Sequence, residues 1–198
     1  MVFFLIITII NLKPYNLYPL SSLIIPGTGE LLLKEKKGEY FIYADLFSLF
    51  FYQTYNFLSK RENELAKIFA SKYAHANYFQ KENYFQLLEI YPSSEEYNED
   101  VLREARRSYP DDPKKQKEYL QKHGYFGKDS WQWENDDLRL TYIEKRRNAT
   151  NKKLVSSFFL SASLLLRMGS FFNSLFLIKE KKISFDFYPQ GFKISYNF

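Results

Sequence analysis

Three ionisable residues lie in or beside apolar stretches of the sequence: Glu30 follows an apolar run, Asp45 lies within 41–58, and Arg167 is the only charge of 154–178. An unpaired charge at the centre of a bilayer costs about 2.5 to 3.5 kcal/mol, so each charge needs a partner or water. We therefore predict that Asp45 pairs with Arg167. Two alternatives stay open: Asp45 lies near a membrane surface while Arg167 snorkels, or the three charges form a proton or ion path.

Each of the two long apolar segments also carries a stripe of polar residues. Ser48 and Tyr52 follow Asp45 at spacings of three and four, and Ser163, Ser170 and Ser174 recur around Arg167 in the same way. Residues three, four or seven apart lie on one face of a helix. Small residues on such a face let a second helix approach closely. We predict two helices packed along these stripes.

A compact turn precedes the first stripe, with the sequence Pro26-Gly27-Thr28-Gly29-Glu30. Proline fixes its own φ angle, and the glycines permit positive φ or close backbone approach. No Gly-Lys-Ser/Thr follows, and the full dinucleotide fingerprint is lacking, so a phosphate loop is not indicated. We interpret Pro26, Gly27, Gly29 and Glu30 as a structural turn.

The elements that must position these residues are apolar segments of membrane-spanning length. Residues 154–178 form a 25-residue run with one charge, and a helix needs about 20 residues to cross the hydrocarbon core. A second apolar segment covers about 41–58. The predicted fold is mainly α, a membrane-associated bundle with two hydrophobic helices. Because both helices are amphipathic, a soluble bundle with these segments in its core is the alternative.

The whole chain divides into five parts. Residues 1–19 form a signal-like or anchor segment, since 1–12 is apolar but lacks a basic start and a cleavage site. Residues 20–58 hold the turn and the first hydrophobic helix, and 154–178 the second. Residues 179–198 alternate apolar and polar side chains on either side of Pro-Gln-Gly, which predicts a C-terminal β-hairpin.

Residues 59–153 are polar and predict a folded helical insert. Ser93-x-x-Glu96 is typical of a helix N-terminus, and so is Asp112 followed by Pro113. Asp129-x-x-Gln132 predicts a further helix start, so that Trp131 and Trp133 would lie in a helix continuing into 154–178. These two tryptophans indicate either a membrane interface or a core.

Composition excludes several classes of function. The chain has no Cys and only two His, which removes thiolate zinc sites, disulfides and a cysteine nucleophile. The net charge is +5, but 59–153 carries 19 basic and 17 acidic residues with mixed signs, so no nucleic-acid-binding face is predicted. We expect no catalytic residues, no cofactor and no metal.

Several of these motifs together resemble an uncharacterised family of bacterial envelope proteins. The resemblance is carried by Pro26-Gly-Thr-Gly-Glu30, by Tyr109-Pro-Asp-Asp112, by Trp131-x-Trp133 and by Arg167-x-x-Ser170. It covers about 20–177 and is specific only as a combined pattern. The resemblance implies an envelope location and a helical fold, and it implies no activity.

The expected protein is therefore a non-enzymatic structural or assembly component of the bacterial membrane and cell envelope. Its expected partners are membrane lipid and either envelope proteins or further copies of the chain. Two alternatives remain: an oligomeric transport component that uses Asp45 and Arg167, and a soluble helical interaction protein.

Overall fold

The computed structural model describes residues 17–188 and 191–196, with side chains through residue 180. Most of the predicted signal-like segment, residues 1–16, lies outside the described residues. The helices are α1 (Tyr18–Ser22), α2 (Thr28–Leu32), α3 (Gly38–Tyr73), α4 (Glu82–Ile90), α5 (Ser94–Ser108), α6 (Pro113–His123) and α7 (Asp136–Lys182). The strands are β1 (Ile183–Tyr188) and β2 (Gly191–Tyr196).

The chain separates into two compact units. The central unit comprises 55–154, and the terminal unit combines the residues before 55 with those after 154. These borders lie close to the ends of the predicted insert at 59 and 153. Each unit is described by itself below.

The predicted fold class is wrong in two respects, and the supported class is mainly α. Among the described residues only α7 is long and apolar enough to cross a membrane. The segment 41–58 fails because Asp45, Gln53 and Asn56 interrupt its apolar residues. It belongs to the longer helix α3, which continues to Tyr73.

The C-terminal β-hairpin is not supported as a component of the fold. The backbone of β1 pairs antiparallel with that of β2, with Ile183 opposite Tyr196. The described residues contain no further strand, so this pair forms a two-stranded sheet of its own. Isolated two-stranded pairs are marginally stable in water. The architecture therefore rests on the helices.

The helix starts of the central unit follow the predicted capping residues in two of three cases. The Ser93 hydroxyl accepts a hydrogen bond from the Glu96 amide at 3.2 Å, and the Asp112 carboxylate accepts one from the Lys115 amide at 3.0 Å. These bonds satisfy amides that a helix start leaves without a partner. The predicted starts of α5 and α6 are confirmed.

The third predicted helix start, at Asp129, is wrong. Residues 130–135 lie outside any helix, with Gln132 in an isolated antiparallel bridge to Ser93, and α7 begins only at Asp136. The Gln132 amide donates to the Ala74 carbonyl at 3.0 Å, and the Trp133 amide donates to the Pro92 carbonyl at 2.9 Å. Nonlocal backbone hydrogen bonds therefore hold this segment out of the helix. Asn135 accepts from the Leu138 amide at 2.9 Å and so occupies the capping position.

The two units bury opposite kinds of side chain. The core of the central unit is alanine and aromatic, with Phe85, Leu88, Trp131 and Tyr142 almost fully buried. In the terminal unit, Ile178 is the only buried large hydrophobic residue among the described residues. The buried side chains of this unit that can form hydrogen bonds are Ser22, Glu30, Asp45, Ser48, Ser156, Ser163, Ser170 and Ser174. The terminal unit is thus polar inside.

Candidate functional site

Asp45 and Arg167, predicted to pair, are brought together in the terminal unit. The Nη2 of Arg167 donates to Oδ2 of Asp45 at 3.2 Å, and the Ser163 hydroxyl donates to Oδ1. Asp45 is only 5% exposed. The carboxylate therefore has one cationic and one hydroxyl donor, which offsets the cost of removing it from water. The Nε of Arg167 is buried, and it has no hydrogen-bond partner among the residues that the structure describes.

Glu30 is fully buried in a second polar cluster. Its Oε2 accepts a hydrogen bond from the Ser170 hydroxyl at 2.7 Å and a longer one, at 3.3 Å, from Ser22. Its Oε1 accepts one from the Asn173 amide at 3.0 Å. All three donors are neutral. Glu30 is thus held by side chains of α7 and α1, while Asp45 and Arg167 form a separate cluster.

The predicted turn is bound through serine hydroxyls to both α7 and α1. The Gly27 amide donates to the Ser170 hydroxyl at 2.7 Å, and the Gly29 amide donates to the Ser22 hydroxyl at 3.0 Å. Ser22 in turn lies 3.4 Å from the hydroxyl of Ser174. Ser170 accepts from the turn and donates to Glu30, so one hydroxyl serves two elements. These bonds satisfy amides at the start of the short helix α2.

Two glycines let the turn approach α3 with no room for a side chain. Gly27 has φ of 95°, and a Cβ there would lie 2.0 Å from the carbonyl oxygen of Gly38. A Cβ on Gly38 would lie 2.3 Å from the carbonyl oxygen of Gly27. Pro26, the first residue of the turn, is fully buried. The backbones therefore touch directly, as at small-residue helix contacts.

The remaining members of the predicted stripes lie on the same inner surface of the terminal unit. Ser48 is buried, and the carbonyl of Tyr52 accepts from the Ser156 hydroxyl at 3.2 Å. Ser163, Ser170 and Ser174 are at most 1% exposed. The structure thus places the four serines of the predicted stripes on this surface, and Tyr52 contributes its backbone carbonyl there. Sequence reasoning missed Ser22, which no periodic pattern links to Glu30.

This arrangement is suited to holding helices together. The hydroxyls of Ser22, Ser163 and Ser170 donate to the buried carboxylates of Glu30 and Asp45. Among the described residues no group of three or more His, Asp or Glu side chains could hold a metal ion. The polar stripe is therefore a packing surface.

The central unit contains an ion network that the sequence did not indicate. Arg146 is 8% exposed; its Nε donates to Glu89 at 2.8 Å and its Nη1 to Asn63 at 2.6 Å and to Glu82. Burial raises the pKa of Glu82, but the hydrogen bond and charge of Arg146 outweigh it, so the pKa lies below its ordinary value. Glu82 and Glu89 lie on α4, whereas Arg146 lies on α7, 57 residues or more further along the chain.

Aromatic side chains form the centre of the central unit. Tyr84, Tyr97 and Tyr125 all lie within 6.0 Å of Trp131 between ring centroids. The indole of Trp131 donates to the Tyr91 carbonyl at 3.2 Å. Burial raises the pKa of Tyr84 to about 12. Trp131 and Trp133 are 2% and 6% exposed, so they are core residues of this unit.

Together these features define a mainly α-helical protein whose terminal unit is polar inside and whose helix α7 is long and apolar enough to span a membrane. Comparison with protein-family models, with characterised proteins and with solved structures finds no match to this chain.

Proposed function

We propose that this protein is an integral membrane protein, anchored by α7, that serves as a non-enzymatic structural or assembly component of a bacterial envelope. The observation that carries the membrane assignment is the reversed polarity of the terminal unit. Its interior holds serines and carboxylates, whereas its surface is apolar. Large exposed side chains there include Ile24, Phe47, Phe50, Phe158, Leu164, Leu165, Phe172 and Phe176, each more than half exposed.

Such a surface is unfavourable in water. Soluble monomers rarely expose contiguous apolar patches larger than a few hundred Å². In a bilayer the same surface faces hydrocarbon, and the buried serines and carboxylates find their partners inside the protein, as membrane interiors require. The soluble-bundle alternative has less support, because it would leave these phenylalanines and leucines in water.

We assign the binding of a protein partner to the central unit. It has its own aromatic core, formed by residues such as Phe85 and Trp133, and an exposed surface of mixed charge. The fixed polar contacts of the terminal unit offer no comparable surface for a soluble partner. We infer that the central unit binds the partner and the terminal unit supplies the anchor.

A transport role has weaker support. Glu30 and Asp45 lie in separate clusters, and each carboxylate is already hydrogen-bonded to neighbouring side chains. A path for ions needs polar groups that can exchange their partners for the ion. A feature in favour of transport is the Nε of Arg167, for which the described part of the chain supplies no hydrogen-bond partner.

The membrane assignment is tested by two lysine substitutions on one helix. Leu165 lies in the apolar part of α7 and is 67% exposed, while Leu140 lies in the central unit and is 55% exposed. In water, both substitutions would be mild surface changes. In a bilayer, Leu165→Lys places a charge near the centre of the span, at a cost of about 2.5 to 3.5 kcal/mol.

We expect the unaltered chain and Leu140→Lys to stay in the membrane pellet after a carbonate wash, and Leu165→Lys to lose most of its pelleted fraction. Release of the unaltered chain by carbonate would refute the proposal. Equal behaviour of the two variants would refute it as well.

A further inference from the structure

The central unit contains a polar cleft of about 370 Å³ between the end of α4, one face of α5 and the end of α6. Its volume lies in the range of about 300 to 1,000 Å³ that is usual for small-molecule sites. Tyrosine rings and charged side chains line it together. All lining residues belong to the central unit, so the cleft does not involve the polar stripe.

Three tyrosines, Tyr91, Tyr97 and Tyr119, supply the apolar surface of the cleft. The Tyr91 hydroxyl donates to Asp100 at 3.0 Å, and the Tyr97 hydroxyl donates to the carbonyl of His123 at 3.3 Å. The rings of Tyr91 and Tyr97 meet edge to face at 5.3 Å. Because both hydroxyls are engaged inside the protein, these residues are fixed in place and offer ring surface to a ligand.

Four charged residues of α5 supply the polar surface: Asp100, Arg103, Glu104 and Arg107. Their spacing places them on one face of the helix. Asp100 pairs with Arg103. Glu104 and Arg107 are exposed and have no ion-pair partner among the residues that the structure describes. The set holds two carboxylates and two guanidinium groups, so its formal charge is zero.

This charge balance restricts the chemical class of the ligand. With two charges of each sign, the cleft has no net attraction for an anion or for a cation. A carboxylate only accepts hydrogen bonds and a guanidinium group only donates them, whereas a hydroxyl group does both. A neutral ligand with several hydroxyl groups can therefore satisfy Glu104 and Arg107 at once. Its less polar face would lie on the tyrosine rings.

We propose that this cleft binds a carbohydrate, such as one or two sugar units of a surface glycan. A peptide segment also carries donors and acceptors, but peptide anchors need an apolar pocket, and the lining of this cleft is mostly polar. The inference rests on the proposed function only in assigning the binding role to the central unit. It adds the chemical class of the ligand and the residues that would bind it.

The test is whether the full chain binds N,N′-diacetylchitobiose or cellobiose, with binding measured by saturation-transfer NMR and calorimetry. The protein is kept in a zwitterionic detergent without a sugar headgroup, because a glycoside detergent would compete for the cleft. Arg107→Gln and Tyr119→Ala alter the cleft. Arg106→Gln is the matched control, since Arg106 is its exposed neighbour on α5 and does not line the cleft.

We expect saturable binding of at least one disaccharide, with affinity reduced about tenfold by Arg107→Gln, or about 1.4 kcal/mol, and unchanged by Arg106→Gln. No saturable binding of either disaccharide by the unaltered chain would overturn the proposal, as would equal effects of the two arginine substitutions. Arg107-dependent binding of an unstructured peptide without sugar binding would overturn it in favour of a peptide site.

A carbonate wash of membranes that contain the full chain distinguishes the membrane-anchor proposal from the carbohydrate-site proposal. If the chain stays in the pellet while neither sugar binds, the carbohydrate site fails and the membrane anchor stands.

Discussion

The hydroxyl of Ser170 donates a hydrogen bond to the buried carboxylate of Glu30 at 2.7 Å. The same hydroxyl accepts one from the Gly27 amide at 2.7 Å. One small side chain of α7 thereby holds both the turn and the acidic residue that ends it. This contact explains why glycines, a carboxylate and a serine stripe occur together in one chain.

Replacing Glu30 by Gln tests the charge of this cluster. The three neighbours, Ser22, Ser170 and Asn173, all donate to the carboxylate, so the amide group of Gln would place donors against donors. We expect a loss of about 1 to 3 kcal/mol in the free energy of unfolding, measured by denaturant titration in detergent. Glu39→Gln, at an exposed position at the start of α3, should change stability by less than about 0.5 kcal/mol. Similar effects of the two substitutions would contradict the role of Glu30.

Replacing Gly27 by Ala tests the contact between the turn and α3. The substitution imposes a strained positive φ, which costs about 1 to 2 kcal/mol, and it adds a Cβ 2.0 Å from the Gly38 oxygen. Gly127→Ala is the control, because Gly127 also has positive φ but no heavy atom lies within 4 Å of its added Cβ. We expect Gly27→Ala to open residues 20–33 to hydrogen exchange and Gly127→Ala to leave them protected. Unchanged protection in Gly27→Ala would show that the turn does not need this contact.

A double-mutant cycle on Asp45 and Arg167 tests their pairing. Asp45→Asn and Arg167→Met should each destabilise the protein by about 1 to 3 kcal/mol, because each leaves a charge without its partner. The double variant should lose less than the sum of the two, with a coupling of about 0.5 to 3 kcal/mol. The exposed pair of Asp100 and Arg103 supplies the comparison, with expected coupling below about 1 kcal/mol. Additive losses at Asp45 and Arg167 would rule out a direct interaction.

The ion network around Arg146 predicts a stability that falls in acid. The pKa of Glu82 is lowered from its ordinary value near 4.5, since Arg146 outweighs the effect of burial. A second ion pair, between Glu62 and Lys152, acts in the same direction, because the hydrogen bond from Lys152 lowers the pKa of Glu62. For carboxyl groups with lowered pKa, stability is fully present above pH 4.5 and is lost as the pH falls through the folded-state pKa.

Arg146→Met should therefore destabilise the central unit at pH 7 by about 1 to 3 kcal/mol and weaken the dependence of stability on pH below 4.5. Thermal unfolding between pH 3 and pH 7 measures both effects. Arg147→Met, at the exposed neighbouring position, should leave the pH profile unchanged. An unaltered acid profile in Arg146→Met would assign the pH dependence to other groups.

Local patterns predicted much of the helical structure. The helix starts at Ser93 and Asp112 are confirmed because capping depends on residues three apart in sequence. The stripe positions in α3 and α7 follow from helical period alone. The helix start at Asp129 was wrong because partners some 40 to 60 residues away, Pro92 and Ala74, hold the 131–134 backbone out of the helix.

Composition and helical period are local properties of the chain, and they were enough to predict the helical class, the stripe positions and the membrane-spanning length of α7. Tertiary contacts were needed to show that Glu30 and Asp45 lie in separate clusters, that Trp131 and Trp133 are core residues, and that Arg146 joins Glu82 and Glu89. The same contacts bury serines such as Ser163 and Ser170 in the terminal unit and leave phenylalanines such as Phe50 and Phe158 exposed. A helix with a polar stripe can turn either face inward, and the contacts with its neighbours select which face is buried.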